Sequence, residues 1–213
     1  MKYSIVIVAA GKGTRMGLAY NKLLVNIDEN TSILDKTLSI FFNDKNCEKI
    51  VVSTSKDDIE FLKEKYKGSS YQFVLGGHTR QESVFNGLKE IDSEYVLVHD
   101  GARPWVTQKE IDQLTECLFE NDAAILGIKV VQTIKEVIDG YIVKTIDREK
   151  VYLAQTPQAF NTKLLYKCHQ KAIQVNFNAT DDAQLVENFS DVKIRMVEGS
   201  PNNIKITTPS DLK

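Results

Sequence analysis

The chain begins with an uninterrupted apolar run, Ser4-Ile5-Val6-Ile7-Val8-Ala9-Ala10, that stops on Gly11-Lys12-Gly13-Thr14-Arg15-Met16. A short run rich in β-branched residues, with no polar alternation, predicts a strand buried on both faces. Such a strand needs a sheet with helices on either side. The run is too short to span a bilayer and lacks a cleavage-like signal, so no membrane role is expected of it.

The pattern that follows agrees with this. Ile33 to Phe42 has helical spacing, with Ile33, Leu34, Leu38, Phe41 and Phe42 on one face. Lys49 to Ser53 reads as a strand, Asp57 to Tyr66 as an amphipathic helix, and Tyr71 to Leu75 as a third strand ending at Gly76-Gly77. Arg80 to Ile91 reads as a helix and Tyr95 to His99 as a fourth buried strand. This alternation predicts an α/β chain, with a Rossmann-like, mostly parallel twisted sheet flanked by helices. Ligands in such folds sit beyond the carboxyl ends of the strands. Three polar segments fall there: Gly11–Arg15, Gly76–Arg80 and Asp100–Arg103.

After residue 125 the pattern changes. Ile134 to Ile138 and Tyr141 to Ile146 flank Asp139-Gly140, a strong hairpin signal. Residues 129–148, approximately, are expected to form a hairpin arm on a single domain covering 1–213. An arm rich in Val and Ile needs a covering partner, which predicts a homodimer.

Composition narrows the function classes. The chain has 213 residues, 42% of them hydrophobic, enough for a substantial core. A net charge of −2 argues against a nucleic-acid partner. Cys47, Cys117 and Cys168 are widely spaced and odd in number, which fits neither a zinc site nor a disulfide framework and suits a reducing cytoplasm.

The loop after the first strand binds anions on general grounds. Glycines let backbone N–H groups approach an anion, and Lys12, Arg15 and Lys22 add positive charge suited to a triphosphate. It is not a P-loop, because Gly17 is followed by Leu18-Ala19. Met16 stands where a dinucleotide fingerprint has its third glycine, although Asp28 keeps that reading open. A tight strand-to-helix turn with solvated lysines is the plain alternative.

Further segments add specificity: Gly76-Gly77 with Arg80-Gln81-Glu82-Ser83-Val84; Val98-His99-Asp100-Gly101-Ala102-Arg103-Pro104; Thr133-Ile134-Lys135; Asp147-Arg148; Gln155-Thr156-Pro157-Gln158-Ala159-Phe160; Thr180-Asp181-Asp182-Ala183; and Asn203-Ile204-Lys205-Ile206-Thr207. With the first loop and Lys22, this ordered set resembles the 2-C-methyl-D-erythritol 4-phosphate cytidylyltransferases of the non-mevalonate isoprenoid pathway. The ribitol-5-phosphate cytidylyltransferases are the alternative, but their first loop usually reads Leu-Gly-Gly-Ile-Gly-Ser-Arg-Met-Gly. One departure is local: many relatives have Pro-Lys-Gln where this chain has Asn21-Lys22-Leu23.

The resemblance implies transfer of CMP from CTP to a polyol phosphate, with release of pyrophosphate. The acceptor's own phosphate oxygen is the nucleophile, so no general base is required. Catalysis then rests on positioning and charge stabilisation. By resemblance, Arg15 and Lys22 stabilise charge at the α-phosphate, Lys12 holds the outer phosphates, and Gly11 and Gly13 donate backbone hydrogen bonds. Ala9, Ala10, Gly77 and Ser83 match the base-reading site, and Arg80 steadies that loop. Asp100 is a candidate for ribose, acceptor or Mg2+, or a simple capping residue. Thr133, Arg148 and Lys205 match the acceptor pocket, with Thr156 and Thr180 as further candidates. Arg103 either contacts the acceptor or organises the loop beside Asp100. The arm residues Thr133 and Arg148 are expected to act on the neighbouring subunit's site. Mg2+ is expected to arrive mainly on the CTP phosphates, and no protein metal ligand is assigned. His78 and His99 are expected to be structural.

Overall fold

The computed structural model describes residues 1–11 and 20–212. The Lys12, Gly13 and Arg15 expectations lie outside the described residues.

The first strand, β1 (Tyr3–Ala9), is buried almost throughout. Side chains alternate across a strand, and β1 divides its own accordingly. Tyr3, Ile5, Ile7 and Ala9 enter one core layer, while Val6 enters the other. This is why the run carries no polar alternation: both faces are covered.

One layer holds α1 (Ile33–Phe42) and α4 (Gln108–Cys117), through Leu34, Leu38, Phe41, Ile111 and Leu114. The opposite layer holds α3 (Arg80–Leu88), α5 (Thr162–Gln174) and α6 (Asp182–Phe189), through Val84, Leu88, Leu165, Ala172, Leu185 and Val186. A shorter helix, α2 (Ile59–Lys65), adds Leu62 to the first layer. The start of α1 is set locally. Ser32 and Asp35 form a reciprocal capping box, satisfying backbone donors that the first turn would otherwise leave open.

The other main-sheet strands are β2 (Cys47–Thr54), β3 (Tyr71–Leu75), β4 (Tyr95–Asp100), β5 (Ala123–Lys129), β8 (Tyr152–Asn161) and β9 (Arg195–Glu198). Their spatial order is β3-β2-β1-β4-β8-β5-β9. All run in one direction except β8, which is antiparallel to both its neighbours, β4 and β5. The expected mostly parallel α/β sheet is therefore what forms. The reversal of β8 follows from its connection. The chain leaves β5, makes the hairpin β6 (Ile134–Ile138) and β7 (Tyr141–Ile146), and returns beside β5 without a crossover helix.

The hairpin is a separate two-stranded sheet. Asp139 and Gly140 both take positive φ, 51° and 83°, as a two-residue hairpin turn of this kind requires. The chain proceeds from β1 to β2 on one side, then to β4 on the other side of β1. That change of direction opens a crevice beyond the carboxyl ends of β1 and β4.

Candidate functional site

A pocket of about 330 Å³ occupies this crevice. Gly11 follows β1 there, Asp100 ends β4 with Ala102 in the turn after it, and Gly77, His78, Thr79, Arg80 and Ser83 form a wall before and within α3. Lys22, Leu23, Lys205 and Thr207 complete it. The three polar strand-end segments singled out in the sequence thus meet, as far as their described residues go.

The floor is an ion network. Arg80 opens α3, directly after its N-cap Thr79. Its Nε lies 3.1 Å from Asp100 Oδ1, and its Nη1 lies 2.7 Å from Asp182 Oδ2. Lys205 Nζ is 2.7 Å from Asp100 Oδ2. Behind them, His169 Nε2 is 3.5 Å from Asp182 Oδ1. Burial by itself would raise the Asp100 carboxyl, but Arg80 and Lys205 outweigh it and hold the group far below the usual carboxylate range. Asp182 is lowered in the same way, burial being outweighed by Arg80 and then His169. Both carboxylates are therefore charged, and Arg80 joins them.

Asp100 is fixed from behind as well. His99 Nε2 donates to the Arg103 carbonyl at 3.0 Å, since a carbonyl can only accept. His99 Nδ1 must then accept from the Thr156 hydroxyl, 3.1 Å away, and Thr156 Oγ1 accepts from the Asp100 backbone N–H at 3.0 Å. His99 is fully buried and burial lowers its pKa to about 4, so the ring is neutral. It is a structural spacer, as expected. Thr156 is buried and its hydroxyl is committed to this chain of bonds, so it lies behind Asp100 rather than in the pocket wall.

The segment carrying Lys205 is tied down at several points. Arg103 Nη1 and Gln155 Nε2 donate to the Asn203 carbonyl, at 2.6 and 3.2 Å. Asn203 Nδ2 donates to the Thr156 carbonyl at 3.0 Å, and Ile206 N to the Ala102 carbonyl at 2.9 Å. Arg103 thus organises the loop, its Nε standing 4.0 Å from Asp100. Lys22 Nζ donates to the Ile206 carbonyl at 2.6 Å, which brings it to the same side of the pocket.

Opposite, the Ser83 hydroxyl accepts from Gly77 N at 3.0 Å and donates to the Thr79 carbonyl at 2.8 Å. These bonds draw the Gly76-Gly77 turn onto α3. A Cβ on Gly76 would come within 2.7 Å of Ala10 Cβ, so a larger residue there would push apart the two loops that border the pocket.

The remaining expected site residues are elsewhere. Thr133 and Arg148 belong to the arm region and do not line this chain's pocket; Arg148 Nη1 donates to the Val131 carbonyl at 2.7 Å from an exposed position. Thr180 is exposed and its N–H donates to Gln184 Oε1 at 2.7 Å. Sequence reasoning gave Arg80 a loop-steadying part but missed Asp182, His169 and Thr207. Arg80 and Asp182 are 102 positions apart, and no local spacing signals that they pair.

Among the described residues, no group of three or more His, Cys, Asp or Glu side chains is placed to hold a metal ion. Asp100 is the carboxylate facing the pocket. No described helix is long and apolar enough to cross a membrane.

Comparison with known proteins gives one answer. The family model described as IspD, 2-C-methyl-D-erythritol 4-phosphate cytidylyltransferase, matches residues 3–213. Relatives of that name from Bacillus cytotoxicus and Clostridioides difficile are 43% and 40% identical, covering 99% of this chain and 94% and 90% of their own. A crystal structure of 4-diphosphocytidyl-2C-methyl-D-erythritol synthase from Anaerococcus prevotii superposes with a TM-score of 0.86 at 35% identity, over 99% of this chain and 94% of that one. With a matching fold and near-complete coverage, the chain belongs to the 2-C-methyl-D-erythritol 4-phosphate cytidylyltransferase family.

Proposed function

We infer that this chain is a nucleotidyltransferase that transfers CMP from CTP to 2-C-methyl-D-erythritol 4-phosphate in isoprenoid precursor synthesis. The acceptor phosphate oxygen attacks the α-phosphorus of CTP. The bond from the α-phosphorus to the oxygen bridging it to the β-phosphate breaks, and pyrophosphate leaves with that oxygen. The products are 4-diphosphocytidyl-2-C-methyl-D-erythritol and pyrophosphate. The single observation that carries this reading at the site is the strand-end crevice in which Asp100 is held between Arg80 and Lys205, with Lys22 alongside.

The residues divide the work. Lys22, with Arg15, neutralises charge developing on the α-phosphate, and Lys12 with the Gly11 and Gly13 backbone holds the outer phosphates. Ala9, Ala10, Gly77 and Ser83 border the base, with Ser83 acting chiefly by shaping the Gly77 turn. Asp100 suits a sugar hydroxyl or a single metal contact, and Lys205 suits the acceptor phosphate. Mg2+ fits this donor set, because that ion usually takes only one or two carboxylates and fills its shell with phosphate oxygens and water. Bound on the triphosphate, it would offset the charge that the attacking anion meets.

The enzyme is proposed to act as a homodimer in the cytoplasm. Tyr141, Ile142 and Val143 of β7 are exposed on the hairpin, and a hairpin alone is marginal in water. Pairing with a second copy would cover them and bring Thr133 and Arg148 to the neighbouring pocket. The cytoplasmic assignment rests on three free cysteines. Turnover of CTP with methylerythritol phosphate and with ribitol phosphate, measured side by side by pyrophosphate release, tests the function. Methylerythritol phosphate is expected to be the faster acceptor. Preference for ribitol phosphate would replace the reading.

A further inference from the structure

Asn21 immediately precedes Lys22. It is 5% exposed, and each polar atom of its side chain is used. Oδ1 accepts from Leu23 N at 3.0 Å, capping a single 3-10 turn over Lys22–Leu24. Nδ2 donates to the Ala9 carbonyl at 3.0 Å and to Asp58 Oδ2 at 2.9 Å. Asp58 is itself held, since Ser55 Oγ donates to the same oxygen at 2.7 Å. One side chain thus links the end of β1, the segment after β2 and the turn that bears Lys22.

The backbone tells the same story. Asn21 has φ −62°, close to the value a proline ring imposes. Here no ring fixes it. The turn is held instead by three hydrogen bonds in a site shielded from water, where an unmade bond is costly.

We infer that Asn21 is a positioning residue for Lys22, its hydrogen bonds to Leu23, Ala9 and Asp58 fixing the turn that aims the Lys22 ammonium into the pocket. This rests on the charge-neutralising part given to Lys22 above. A lysine acting on charge in the transition state must be held in place before reaction, and a shift of about 1 Å can cost about 10²-fold in rate.

The test uses the full chain with CTP and methylerythritol phosphate, comparing Lys22→Ala, Asn21→Asp, Asp58→Asn and the double variant Asn21→Asp/Asp58→Asn. Asn21→Asp sets a carboxylate against Asp58 and the Ala9 carbonyl. It is expected to lower kcat by about 10²-fold while the KM for CTP moves less than about threefold. Asp58→Asn keeps an amide oxygen as acceptor and should stay near the parent rate. In the double variant the new amide at 58 donates to the new carboxylate at 21 while the Ala9 carbonyl still lacks its donor, so part of the lost kcat should return. Full turnover in Lys22→Ala would overturn the reading of Lys22, and this inference with it. A loss in Lys22→Ala with unchanged kcat in Asn21→Asp would overturn the inference alone. So would a double variant that is folded and no faster than Asn21→Asp. Should Asn21→Asp not fold, Asn21→Ser keeps a capping oxygen, loses both amide donors, and carries the same expected kcat loss.

Discussion

The pocket floor and the hairpin are built on opposite terms. In the floor, Asp182 is 1% exposed at its side chain and Asp100 10%, and each charge meets an opposite charge within the same chain. On the hairpin, Tyr141 is 79% exposed and Ile142 65%, and these apolar side chains face outward. The floor spends three elements, α3, β4 and α6, on holding one arginine. The hairpin uses two strands and a tight turn. One region is complete within a single chain. The other has the composition of an interface.

The floor is broken most severely at its centre. Arg80→Leu would leave Asp100 with Lys205 and the more distant Arg103, and would remove the arginine from Asp182. Breaking a buried pair on one side costs about 3–5 kcal/mol, so a large fall in the denaturation midpoint is expected by urea titration. A midpoint near the parent's would mean that the network contributes little.

The next effect comes from His99. Its folded pKa, about 4, lies below the ordinary 6.5. Between those values the unfolded chain takes up a proton that the folded chain refuses. Stability is therefore full above pH 6.5 and falls with pH down to about 4, by on the order of 3 kcal/mol. Urea midpoints across that range should show the slope, and His99→Gln should flatten it.

The smallest effect on the single chain belongs to the hairpin. Ile142→Lys is a substitution at an exposed site and should change the stability of an isolated chain by no more than about 0.5 kcal/mol. Sedimentation should nonetheless shift from dimer to monomer. A dimer that survives this change would place the interface elsewhere.

What the sequence made legible follows from the range of each signal. Apolar periodicity is local, and it located Ile33–Phe42 and Tyr71–Leu75 to the residue. The Asp139-Gly140 turn was equally plain, because its chemistry lies in two adjacent residues. Helix Arg80–Leu88 ends sooner than its expected limit at Ile91; Ile91 still enters the core, but from a turn closed by bonds from Glu90 N to the Gly87 carbonyl and from Ile91 N to the Leu88 carbonyl. Helix α4 carried a usable signal that was not taken up, the capping box between Thr107 and Glu110. The reversal of β8 and the Arg80–Asp182 pair had no local signature. Both depend on how distant segments return to each other. The same holds for Thr156, whose place in the motif suggested a ligand contact and whose hydroxyl serves Asp100 from behind.

The segment around Lys205 has a consequence for how the protein comes into being. Its ammonium completes the charge balance of Asp100, yet it is synthesised 105 positions later. At typical elongation speeds of about 5–20 residues per second, that is a delay of roughly 5–20 s. During the delay the β1–β4 half of the sheet can form, with Arg80 and the more distant Arg103 as ionic partners of Asp100. Ile206 then docks on Ala102 and brings Lys205 over Asp100. The pocket therefore waits for a segment made long after the strands that frame it.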